Sequence, residues 1–311
     1  MTPDENNLFP QDPSPSLDVP EHIDSTRPEL SAGSPLAQQL QTVPTSDPLG
    51  NIPPPTYFPE DLCVPWGWTD LVLLLILAIA GFILINMVAT LGLAISGVNL
   101  QHIQKSPNDI NLLSIFIQVF LDLGLLAYLA AQMRLRFRSP FWRTIGWRTL
   151  DTGRIPPLAT YFGLILSGFF LSLIVSMGSA LFPPKTNLPI EALFQDRYTT
   201  VLFMLIAVLL APLVEETIFR GYIYPVVART FGKSWGIIAT GMLFGLLHAA
   251  QLWGGWSQIA LLVFVGIVLT FARAASRTVL ASFVIHTSYN SIQVIGLLIA
   301  THGLQHLPGV R

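Results

Sequence analysis

Pro212-Leu-Val-Glu-Glu-Thr-Ile-Phe-Arg220 sets two adjacent carboxylates and an arginine at the end of a pure hydrocarbon run, Thr200 to Val214. Ionisable groups inside an apolar span are costly, which makes them a functional-site hypothesis by default. On a helix, Glu216 and Arg220 are four apart and face each other. Glu215 is rotated from them by about 100°. The stretch therefore has two halves. Glu216–Arg220 is an ion pair that lets two charges lie in low dielectric. Glu215 is left without a local partner and needs one from another helix.

The composition around this stretch fits a membrane protein. Hydrophobic residues make up 52% of the chain and charged residues 11%, where soluble domains carry roughly 25% charged. A net charge of −2 gives no sign of a nucleic-acid partner. The single cysteine, Cys63, excludes a disulfide framework or thiolate cluster and reads as an inert small residue. The N-terminus has no basic n-region or early apolar h-region, so no cleavable signal is expected.

Hydropathy divides the chain. Residues 1–65 are acidic and proline-rich without apolar periodicity, and predict a disordered cytoplasmic tail. Trp66 and Trp68 predict interfacial anchors. Residues 66–197 hold three spans, about Leu71 to Ile95, Leu112 to Met133 and Leu158 to Phe182. The arginine-rich segment 134–155 separates the second from the third. Residues 198–301 hold four more: Thr200 continuing toward Arg229 with a bend at Pro225, Trp235 to Ala250, Ile259 to Ala272, and Val279 to Ala300. The sixth is the shortest against the ~20 residues a span needs. Residues 302–311 form a C-terminal tail. The fold class is all-α, a polytopic transmembrane helix bundle of about seven spans.

Lysine and arginine orient it. An N-terminus in the cytoplasm gives the inner loops the arginines of 134–155, with Arg220, Arg229, Lys233, Arg273 and Arg277. The outer side receives Lys105, Lys185, Arg197 and Arg311. The expectation is an integral protein of the plasma (inner) membrane with a cytoplasmic N-terminus.

Three other polar residues lie in the late spans: His248 in the fifth, His286 and Asn290 in the seventh. Glu215 is 14 residues before Arg229, His248 is 15 after Lys233, and Asn290 is 13 after Arg277. At ~1.5 Å per residue all three lie roughly 20 Å in, with His286 one turn shallower. His286 and Asn290 share a helical face. Gly241 and Gly245 form a small-xxx-small face for close helix approach. A lone His or Asn in a span is usually packing glue; the matching depths of these with an unpaired Glu argue for one site. Asp122 in the second span is a further buried acid, expected to make a structural hydrogen bond or to pair with Arg220. His22, His102, His302 and His306 are expected to be solvated.

The set Glu215-Glu216-x-x-x-Arg220, Phe244-x-x-x-His248 and His286-x-x-x-Asn290, in that order, resembles the CPBP (Abi) family. Its members are intramembrane proteases related to type II CAAX prenyl endopeptidases and lysostaphin-resistance proteins. The resemblance covers roughly Thr200 to Ala300. It implies that Glu215 and His248 activate water, that His286 and Asn290 bind the oxyanion or help to hold a metal, and that Glu216 and Arg220 support the site. The substrate it implies is a membrane-anchored peptide, of which a prenylated CAAX-type peptide is one form.

Two mechanisms use these residues. In one, Glu215 and His248 polarise water and His286 and Asn290 serve the oxyanion. In the other, Glu215, His248 and His286 hold one divalent metal, zinc foremost, although no H-E-x-x-H pair is present. Other chemistries fit less well. There is no G-x-S-x-G, and the single Asp151-Thr-Gly153 reads as coincidence. Two other classes remain: a non-catalytic scaffold or bacteriocin-immunity-type protein, and a proton-coupled transporter. No inverted repeat supports the transporter. Oligomeric state is not legible.

Overall fold

The structure, a computed structural model, describes residues 59–97 and 106–307. Most of the segment expected to be a tail, residues 1–58, lies outside the described residues. Among the described residues there are helices and turns and no strand.

Seven helices form the bundle: α1 Trp68–Ile95, α2 Pro107–Ala131, α3 Pro157–Leu181, α4 Arg197–Phe231, α5 Lys233–Leu247, α6 Trp256–Ser276 and α7 Val279–Ala300. Among the described residues six helices are long and apolar enough to cross a membrane, and α5 is shorter. Their outer faces carry bare hydrocarbon, including Ile83, Leu91, Phe120, Phe162 and Leu209. So much exposed apolar surface requires lipid around it. This is an integral membrane protein.

The expected lengths of the fifth and sixth spans are reversed. α6 has 21 residues, whereas α5 has 15 and ends at Leu247. The chain then turns, so His248 caps the helix instead of riding within it. Trp66, expected at the interface, is buried. Its indole Nε1 donates to Tyr222 O (2.9 Å) and its ring stacks on Tyr222 at 4.9 Å. Trp68 is partly exposed and donates to Thr230 Oγ1 (2.9 Å). The chain from residue 59 is also part of the fold: Asp61 and Leu62 are buried, and Asp61 binds Arg273.

α4 is irregular where its sequence has prolines. Widened π turns span Ile206–Leu210 and Glu216–Ile223, just before Pro212 and Pro225. Proline has no N–H and its ring crowds the carbonyl one turn back, so the preceding turn opens. The bend expected at Pro225 is thus a widened turn ahead of it.

α5 and α6 lie against each other. A Cβ on Gly241 would stand 2.5 Å from Ile267 N, and one on Gly245 2.5 Å from Val263 Cγ2. Gly266 approaches Gly241 O from the other side. Lipid gives apolar contact no water-driven gain, so backbone packing of this kind holds membrane helices together. α7 fits against α3, where a Cβ on Gly168 would meet Ile285 O at 2.6 Å. Leu171, Val265, Leu269, Ile285 and Tyr289 fill the space between α3, α6 and α7.

Candidate active site

α4 crosses the bundle between α5, α6 and α7, and turns its polar side toward them. The Arg220 and Glu216 side chains are fully enclosed and paired, Nη1 to Oε1, at 2.9 Å. Arg220 also donates Nη2 to Gly266 O (2.9 Å) and Nε to Thr270 Oγ1 (3.3 Å). Its guanidinium lies over the Phe244 ring at 4.5 Å. A buried ion pair survives only where its spare donors are met, and α6 meets them. Neither Thr270 nor Gly266 was expected in this role.

Glu216 Oε1 has a second partner, His286 Nδ1, at 2.9 Å. His248 Nδ1 is likewise engaged, with Phe244 O at 2.8 Å. A carboxylate and a carbonyl only accept, so both Nδ1 atoms carry the hydrogen and donate. Both Nε2 atoms point at Glu215, His248 to Oε1 and His286 to Oε2, each at 3.7 Å. Glu215 therefore finds its partners on other helices. The Glu215 and His248 side chains keep about a quarter of their surface exposed, while Glu216 keeps none. Phe244 forms the apolar floor, with ring centroids 4.9 Å from His248, 5.8 Å from His286 and 5.2 Å from Phe219.

Asn290 lies one turn beyond His286 and reaches the backbone of α4. Its Nδ2 donates to Ala207 O at 2.7 Å. The π turn explains why. Ala211 N–H reaches back to Ile206 O, and in that register the next N–H would serve Ala207 O. The next residue is Pro212, which has none. Asn290 supplies the missing donor. Regular helices predict Asn290 level with Glu215 and His286 one turn shallower; in the structure it is His286 that meets Glu215. The second π turn lies between Glu215 and Arg229, and a widened turn fits more residues into one pitch, so Glu215 sits nearer the inner end than a regular helix would place it.

Asp122 on α2 does not pair with Arg220. It accepts from Gln118 Nε2 (2.8 Å). Asp151 accepts from Gly153 N (3.0 Å) in an exposed turn, as a coincidental motif would.

Among the described residues, no three His, Cys, Asp or Glu side chains are already gathered as a metal site would gather them. The donor chemistry of Glu215, His248 and His286 nevertheless fits a divalent ion. Both imidazoles fix Nδ1 on an acceptor and direct Nε2 inward, the outer-shell pattern of ligating histidines.

The comparisons agree with the motifs. Residues 197–292 match the family model described as type II CAAX prenyl endopeptidase Rce1-like. The chain is 28% identical over 151 residues to the UPF0177 protein YbdI of Lactococcus lactis subsp. lactis (strain IL1403), covering 47% of this chain and 79% of that one. No solved structure matches. Residues 197–292, the stretch that carries all six candidate site residues, are thus similar to the type II CAAX prenyl endopeptidase Rce1-like family.

Proposed function

We propose that this protein is an intramembrane endopeptidase that hydrolyses a peptide bond in a membrane-anchored substrate, with water activated by Glu215 and His248. The observation that carries the reading is the convergence of Glu215 with two imidazoles, from α4, the end of α5 and α7, in a partly open site inside an apolar bundle. At 3.7 Å neither Nε2 is within hydrogen-bond distance of the carboxylate. A water beside the three groups links them. Glu215 takes a proton from that water as oxygen attacks the scissile carbonyl carbon, and returns it to the leaving amine as the C–N bond breaks.

His286 has two uses, decided by one proton. As imidazolium its Nε2–H donates to the tetrahedral oxyanion. As neutral imidazole its Nε2 offers a lone pair, which suits a ligand. A divalent ion held by Glu215, His248 and His286 would supply Lewis acidity to the water and the carbonyl. Glu216 and Arg220 hold His286 and the helix in place in either case. Chelation of purified protein followed by zinc decides between the routes: activity lost and restored supports the ion, and full activity in metal-free protein supports the other.

The substrate class follows from the resemblance: a peptide anchored in the membrane, a prenylated CAAX-type C-terminus among them, approaching from the cytoplasmic side. The membrane is the plasma (inner) membrane, with the N-terminus inside. Comparative proteomics of membrane peptides, in cells with active protein and without it, tests the whole reading. Cleaved C-terminal fragments that depend on the active protein support it. Identical peptide sets overturn it and favour a scaffold or immunity-type role.

A further inference from the structure

At the arginine-rich end of the bundle, a cavity of about 320 Å³ is bordered by Glu60, Asp61, Cys63, Arg143, Arg148 and Arg273. None of the proposed catalytic residues borders it.

Its walls are held in place. On one side Val279 N donates to Gly146 O (2.9 Å), and Thr278 Oγ1 donates to Arg148 O (2.6 Å). The arginine-rich segment is thereby fastened to the turn between α6 and α7. On the other side Leu62 is buried against Tyr224, Ala228 and Ala274. Arg273 Nη1 donates to Asp61 Oδ2 at 2.8 Å.

Among the described residues, positive charge here exceeds the negative charge that meets it. Arg273 is 1% exposed and spends Nη1 and Nη2 on Asp61, yet its Nε–H has no partner among the described residues. Arg148 reaches an exposed Glu60 through Nη1 at 3.2 Å, and its own Nε–H is covered and, among the described residues, without a partner. Arg143 is exposed and makes no ion pair among the described residues. Three arginines thus face two carboxylates. A guanidinium N–H that is buried without an acceptor is unfavourable, and two occur on arginines that border one cavity.

The group that satisfies forked cationic donors best is an oxyanion with several acceptors, above all phosphate. The volume is at the lower end of small-molecule sites, suited to a phosphate with a short polar substituent. We propose that this cavity binds a phosphate-bearing group, either a small soluble phosphate ester or the headgroup of an anionic phospholipid.

Cys63, the sole cysteine, is exposed and borders the cavity, which makes it a reporter. The experiment measures maleimide alkylation of the full-length protein. One arm uses neutral detergent with glycerol 3-phosphate, against sodium chloride of equal ionic strength. The other compares nanodiscs of phosphatidylglycerol and of phosphatidylcholine. Ligand at ten times its Kd leaves about a tenth of sites open, so alkylation is expected to slow ~10-fold. The slowing is expected to disappear in Arg143→Gln and in Arg148→Gln. Slowing by glycerol 3-phosphate identifies a soluble ester, and slowing by phosphatidylglycerol alone identifies a headgroup. Equal rates in every arm overturn the proposal, as does slowing that survives both substitutions.

Discussion

His286 Nδ1 lies 2.9 Å from Glu216 Oε1, the same oxygen that accepts from Arg220. One carboxylate oxygen thus fixes an ion pair within α4 and the ring of a residue on α7, and so decides which nitrogen faces Glu215. Glu216→Gln keeps the shape and removes the charge. It is expected to lower hydrolysis by 10–100-fold, as loss of an outer-shell partner does. It is also expected to lower stability by about 3–5 kcal/mol, because Arg220 stays buried without its counter-charge. Cleavage assays and thermal unfolding in detergent check the two effects separately.

Asn290 and Pro212 form a second testable couple. If Asn290 exists to serve the carbonyl that Pro212 leaves open, Asn290→Ala costs ~1–3 kcal/mol by orphaning Ala207 O. In a Pro212→Ala background the helix supplies its own N–H, and the same substitution costs less. A double-mutant cycle on stability reads this coupling. An oxyanion role predicts something else: kcat falls by ~10²–10³ in both backgrounds.

The helix seam makes a third. Gly245→Val puts a branched side chain where a Cβ alone already stands 2.5 Å from Val263 and 2.6 Å from its backbone nitrogen. α5 must then separate from α6, at a cost of about 1–3 kcal/mol or more. Gly163→Val, at a site with nothing within 4 Å, is the control and is expected to leave unfolding unchanged.

Asp196, outside the membrane spans, caps α4 and gives a pH prediction. The Thr199 backbone N–H and hydroxyl both donate to its Oδ2 (2.9 Å each), and the backbone donor foremost holds its carboxyl below the ordinary 3.8. A lowered folded pKa means that the cap's contribution is complete above the ordinary value and is lost as pH falls through the folded one. Asp196→Asn keeps a capping oxygen without the titration. Unfolding measured from pH 6 to about pH 2 is expected to show a larger acid-side loss in the parent than in the variant.

Much of this architecture was legible because hydrocarbon length is a strong signal. α1, α3, α4 and α7 fall within a few residues of the runs that predicted them. The need of Glu215 for partners on other helices was legible too, since Glu216 and Arg220 satisfy each other one turn apart. What escaped was geometry that regular helices do not have. The π turns ahead of Pro212 and Pro225 shifted the depth of Glu215, so His286 and not Asn290 meets it. Trp66 was hidden for a different reason: a tryptophan beside a span looks like an anchor until Tyr222, 156 residues on, offers a ring and a carbonyl. Thr270 and Gly266 carried no signal, because a threonine and a glycine in an apolar span look like packing.

The most direct test sets Glu215→Gln and His248→Ala beside the parent protein, each shown to insert and fold, and measures cleaved C-terminal peptides in the membrane fraction. The account predicts that fragments made by the parent fall by ~10²-fold or more in both variants, as loss of a general base requires. Fragments made at the parental rate by either variant would contradict it.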